Sequence, residues 1–162
     1  MASKHLTQAS IFLAPATSLF MAGYSFAASQ NTLPHLFALR PQTSIPIFTR
    51  VFHDGGKIAI PASLISGLMS LYVALWCTSS RQRVLFTLAG LCAWATAPWT
   101  GFVMWPGIKR LMEMEGDERA MEKSEQTLEH VQLLRAWVRG NWVRTGAYAV
   151  SGGLGLWAAV WG

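Results

Sequence analysis

Charged side chains are scarce in this sequence: Asp, Glu, Lys and Arg make up 13% of it, beside 52% hydrophobic residues. Soluble domains carry about 25% charged residues, so the composition argues against a water-soluble globule. Cysteine is nearly missing too. Two cysteines cannot build a disulfide scaffold, and no C-x-x-C or paired Cys/His spacing marks a structural metal site. Nor is there a G-x-G-x-x-G, a P-loop, a nucleophile elbow or a haem motif, which argues against a bound nucleotide. A length of 162 residues leaves room for one domain, residues 1–162, and none for a separate catalytic module.

Where the charges fall says more than how many there are. Lys4 is followed by 35 uncharged residues before Arg40. Gaps of 23 residues (Lys57 to Arg81) and 25 residues (Arg83 to Lys109) follow, and the last 18 residues, after Arg144, carry none. A hydrocarbon core about 30 Å thick needs roughly 20 apolar residues at 1.5 Å each. A charge at its centre costs roughly 2.5–3.5 kcal/mol on insertion scales. The runs therefore predict an all-α integral membrane four-helix bundle, with spans near 8–28, 57–77, 84–105 and 142–161. A cleavable leader ending at Ala27-Ala28-Ser29 is the rival for the first span, although the uncharged run is long for one.

Lys109–Arg144 holds seven basic and seven acidic residues, so the net charge of +5 is scattered juxtamembrane charge with no nucleic-acid stripe. Its apolar positions, among them Leu111, Met114, Met121, Leu128, Val131, Leu134 and Val138, predict a helical extension over about 108–141 that turns at Gly116-Asp117 and caps the bundle. The lysine and arginine count places the two large loops on the cytosolic side and both termini opposite. Cys77 and Cys92 fall at different depths of antiparallel spans, which argues against a disulfide.

Of eight tryptophans, Trp76, Trp157 and Trp161 sit at span ends on one side, and Trp105, Trp137 and Trp142 on the other, as two interfacial belts. Trp94 and Trp99 fall inside the third span and flank Pro98, which lacks a backbone donor and should bend the helix. Thr100 and Gly101 follow, and Ala93, Ala97 and Gly101 form a small-residue ridge. This reads either as a tightly packed kinked helix or as an aromatic wall beside a cavity.

The strongest periodicity runs through His130, Leu134, Trp137, Asn141, Arg144, Tyr148 and Ser151, at steps of three and four residues along one helical face. Arg144 and Asn141 near a membrane boundary need partners or water, so this face should look inward. The alternatives are a snorkelling arginine with a capping asparagine, or a donor pair aimed at an anionic or carbonyl-bearing ligand. A second constellation, His53-Asp54-Gly55-Gly56-Lys57, reads as a loop entering the second span, with Pro61 one turn on. An imidazole and a carboxylate are the usual general bases, whereas Asp54 would also suit a helix N-terminus without any chemistry. His35, in a proline-flanked loop, and His130 have no metal-ligand spacing, so no metal is expected.

With these residues placed, the chain resembles the fungal DUF1772 membrane family, which includes the anthrone oxygenases of aromatic polyketide pathways. The resemblance runs over nearly the full length. It is carried by Ala22-Gly23-Tyr24, by Gly55-Gly56 with Pro61, by Pro98-x-Thr100 with Pro106 and Leu111, and by Trp137-x-x-x-Asn141-x-x-Arg144. It departs at Gly107-Ile108-Lys109, where the family often has an asparagine.

The resemblance implies a four-span protein, in the endoplasmic reticulum, that oxidises an anthrone to its quinone with O₂ as co-substrate and without flavin or metal. On that reading His53 is the expected base, Asp54 orients it, and Asn141 and Arg144 hold the oxyanion. Trp94, Trp99 and Trp137 line a flat apolar pocket, with Thr100, Tyr148 and Lys57 completing the substrate contacts. A cyclase or isomerase on the same scaffold and a non-enzymatic membrane adaptor are the competing functions. The expected partners are a hydrophobic aromatic small molecule and the lipid bilayer, and a homo-oligomer is left open.

Overall fold

A computed structural model describes residues 2–162, with side chains from residue 5; the Lys4 side chain lies outside the described residues. Every regular element among them is helical. Four long helices carry the architecture: α1 (Ala2–Ala27), α2 (Pro41–Trp76), α3 (Ser80–Pro98) and, after the short α4 (Trp105–Met114) and α5 (Glu118–Thr127), α6 (Glu129–Trp161). They close a ring in which α1 packs on α2 and α6, and α3 packs on α2 and α6. Three stretches, His5–Ala38, Pro41–Trp76 and Ser80–Met114, are long and apolar enough to cross a membrane. The expected fourth span is not among them, because glycines and a serine dilute the charge-free end of α6.

The expected spans are also too short. The first helix continues past residue 28 through a π-helical turn (Ala28–Thr32) and a 3₁₀ turn (Leu33–Ala38), which contains His35. α2 begins at Pro41, so His53–Lys57 lies inside a helix and forms no loop. In or near hydrocarbon every backbone group must be satisfied internally, and that requirement outweighs the local weakness of paired glycines. After α3, Pro98 opens a π-helical turn (Trp99–Met104) that leads directly into α4.

α1 and α6 approach through small residues. A Cβ added at Gly155 would lie 3.0 Å from the Pro15 ring, and one at Gly152 would lie 2.6 Å from Leu19. At this level Ser18, Ser66 and Ser151 join three helices. Ser18 Oγ lies 2.6 Å from Ser66 Oγ and 2.8 Å from Ser151 Oγ. Ser66 also reaches Ala14 O (3.0 Å), and Ser151 reaches Ala89 O on α3 (2.8 Å).

The predicted extension is present, and it turns at Gly116, whose φ is +88°. Asp117 caps α5 by accepting from the Ala120 amide at 3.1 Å. A second break, at Leu128, escaped the sequence reading. Leu128 is left-handed (φ 57°) and exposed, so it is not part of the apolar face assigned to it. Leu111, Met114, Met121 and Leu134 are buried with Leu33, Leu36, Ile45 and Phe48 in one core beneath the extension. Arg110 clamps α4 to α6 by donating to Glu129 at 2.8 and 3.4 Å.

Candidate active-site cavity

The inward face of α6 is as its periodicity predicts: His130, Leu134, Trp137, Asn141, Tyr148 and Ser151 are buried, and Arg144 is half-buried. Between His53 and the Trp94 level the four long helices stand apart around a cavity of about 810 Å³. That is within the roughly 300–1,000 Å³ of small-molecule sites. Its wall is mostly apolar, from Val51, Phe52, Ile60, Leu64, Ala97 and Trp105. Ala97 and Gly101 line open space, so of the predicted small-residue ridge only Ala93 is buried in a helix contact.

Arg144 lines this cavity and makes no hydrogen bond or ion pair among the described residues; its Nε is buried without a partner. One turn further along α6, Tyr148 stands at the same wall, its hydroxyl hydrogen-bonded to Ser63 Oγ on α2 and 3.0 Å from Thr96 Oγ1 on α3. Trp137 is buried edge-to-face on Phe48 (5.8 Å, 85°), with its indole N–H unpartnered. Trp94 is seated in a notch at Gly67, where an added Cβ would lie 2.0 Å from Trp94 Nε1. Thr100 lines the cavity, although its hydroxyl donates to Thr96 O at 2.7 Å. His53 stands exposed at the rim, its ring edge-on to Phe52 at 5.9 Å.

Four expected roles change. Asp54 makes no hydrogen bond to His53; its carboxylate is exposed and accepts from Lys57 Nζ at 2.7 Å, one turn along the same helix. Lys57, held in that pair, does not line the cavity. Asn141 lines the cavity, but both its amide hydrogens are spent on α1, donated to Ser25 O and Ser29 Oγ at 2.8 Å each. That leaves none for an oxyanion. Trp99 points elsewhere: its indole donates to Gly140 O at 3.0 Å in a separate groove of about 390 Å³ beside α6.

The sequence reading missed Tyr24 and Ser25 on α1, and Ser63 and Thr96 beside Tyr148. The signal for the last two was available, since each hydroxyl lies in a charge-free run and needs a partner. Among the described residues no three His, Cys, Asp or Glu side chains gather as a metal-binding group.

A family model described as anthrone oxygenase matches residues 48–154, from α2 through most of α6. The chain belongs to the anthrone oxygenase family. The matched stretch contains His53, Trp94, Thr96, Arg144 and Tyr148, whereas Tyr24 and Ser25 lie before it. No curated protein and no solved structure matches the chain.

Proposed function

We propose that the chain is a membrane-embedded oxygenase that converts an anthrone-type aromatic polyketide to its quinone, with O₂ as co-substrate and no further cofactor. The observation that carries this reading is an unpaired guanidinium, Arg144, on a mostly apolar cavity of about 810 Å³. α6 supplies the fourth crossing through its charge-free end, with Trp157 and Trp161 at the interface. The bilayer is that of the endoplasmic reticulum.

The chemistry needs little beyond these residues. His53 takes a proton from the activated methylene of the anthrone, whose carbonyl oxygen becomes an oxyanion held by Arg144. The delocalised anion forms a carbon–oxygen bond with O₂, and the resulting peroxide takes the proton back from His53. Loss of the second methylene proton with O–O cleavage leaves the quinone carbonyl and releases the other oxygen atom as water. Trp94, Trp105 and Trp137 flank the flat ring system, and the apolar wall excludes water, which strengthens the pairing with Arg144.

The test is oxidation of an anthrone under ¹⁸O₂ by membranes containing the protein. One labelled oxygen in the quinone, above the spontaneous background and with exchange into water controlled, is expected. Label no higher than that background removes the oxygenase reading.

A further inference from the structure

We infer that ligands reach the cavity sideways from the bilayer, through a slot between α2 and the π-helical turn after α3; the inference rests on reading the cavity as a substrate site. At the Gly67 level and beyond, α2 and α3 are closed on each other. A Cβ added at Gly90 would lie 3.2 Å from Gly67 O and 3.1 Å from the Leu71 side chain, and Trp94 fills the Gly67 notch. Toward His53 the two helices part. Ile60 and Leu64 on one edge, and Ala97 and Gly101 on the other, line the cavity while being exposed on the outside of the molecule. A residue that is at once wall and surface marks an opening.

Ile60 is 65% and Leu64 51% exposed, and a Cβ placed on Gly101 meets no atom within 4 Å, so among the described residues these three positions lie uncovered at the slot. Its depth follows from the charges. Ile60 and Leu64 lie in the charge-free run after Lys57, and Ala97 and Gly101 in the one before Lys109, with exposed Phe102 and Val103 beside them. The slot therefore faces acyl chains. His53 stands at the same cavity seven residues before Ile60, about 10 Å along α2. The cavity thus has an apolar mouth and a polar end. An uncharged polycyclic aromatic and O₂ come in from the acyl layer, and the proton exchanges with water past His53. A neutral ring system crosses the slot and ionises only once it lies beside Arg144.

The experiment uses the full chain in lipid nanodiscs and follows quenching of tryptophan emission by anthraquinone in stopped flow. The Cβ of Gly101→Phe meets no atom within 4 Å, and the variant's fold is checked by thermal unfolding. It should lower the association and dissociation rates together by tenfold or more at unchanged Kd, while Gly101→Ala stays near wild type. Wild-type rates in a folded Gly101→Phe protein would overturn the slot. So would a weakened Kd with an unchanged association rate, which would make Gly101 part of the binding wall. Quinone binding needs no turnover, so wild-type protein that binds quinone yet leaves an anthrone unoxidised would remove the oxygenase reading alone.

Discussion

Where α1 and α6 meet at Pro15–Gly155 and Leu19–Gly152, helices touch through small residues and each serine hydroxyl has a partner on a neighbouring helix. Toward His53 and Arg144 the same four helices stand apart, and polar groups are left over. The Arg144 guanidinium has no partner, and the Trp137 indole N–H has none. In a low-dielectric interior an unpaired donor costs roughly 1–3 kcal/mol, and more when charged. A chain shaped for stability alone would close that end as it closes the other. The two ends differ in what is left unpaired: at the closed end the serine hydroxyls are spent on helix contacts, and at the open end a guanidinium and an indole N–H have no partner beside the paired Asn141 and Tyr148.

The division can be broken first at its open end. Arg144→Ala should lower turnover of an anthrone by about 10²–10³, the usual loss when one donor to a developing oxyanion is removed. It should melt no lower than wild type, since Arg144 holds nothing else. The next effect lies at the boundary. Gly67→Ala drives a methyl group into Trp94 and should cost about 1–3 kcal/mol of stability, as overpacking does. A thiol-dye melt that reads the half-buried free Cys77 and Cys92 measures it. Trp94→Phe in the same chain should recover part of the loss, a non-additivity that only direct contact produces.

Smaller still is the closed end. Ser66→Ala removes its hydrogen bonds to Ser18 and Ala14 O and should cost about 1 kcal/mol with turnover unchanged. The smallest effect is outside the membrane. The Arg110 guanidinium, by hydrogen bond, holds the Glu129 carboxyl below its ordinary 4.5. A carboxyl with a lower pKa folded than unfolded adds stability above its ordinary range and loses it as pH falls through the folded value. Thermal stability should therefore dip slightly below about pH 4.5, and Glu129→Gln should abolish that dip.

What could be read from the sequence follows from what each signal depends on. The stripe from His130 to Ser151 needed only the helical period, and every member faces inward as expected. Charge-free runs located three apolar helices, because insertion energetics act residue by residue. Residues 53–57 were misread through a local rule, glycine as loop, where the surroundings imposed helix. Once helical, Asp54 and Lys57 sit three apart and find each other. Trp94 and Trp99, five apart, point roughly 140° from each other on a helix, so one cavity could not take both. The fate of Asn141 depended on Ser25 and Ser29, more than a hundred residues away, and no local pattern carries that information.

On the proposed function, this end of the four helices binds an aromatic substrate as its anion, with Arg144 as the charge that favours it. Spectroscopic titration of a bound anthrone under argon tests this most directly, because no oxygen is present to consume the anion. The protein-bound anthrone should ionise at a lower pH than the free compound, and Arg144→Ala should move its ionisation back toward the free value. Ionisation at the same pH free, bound to wild type and bound to Arg144→Ala would contradict the claim.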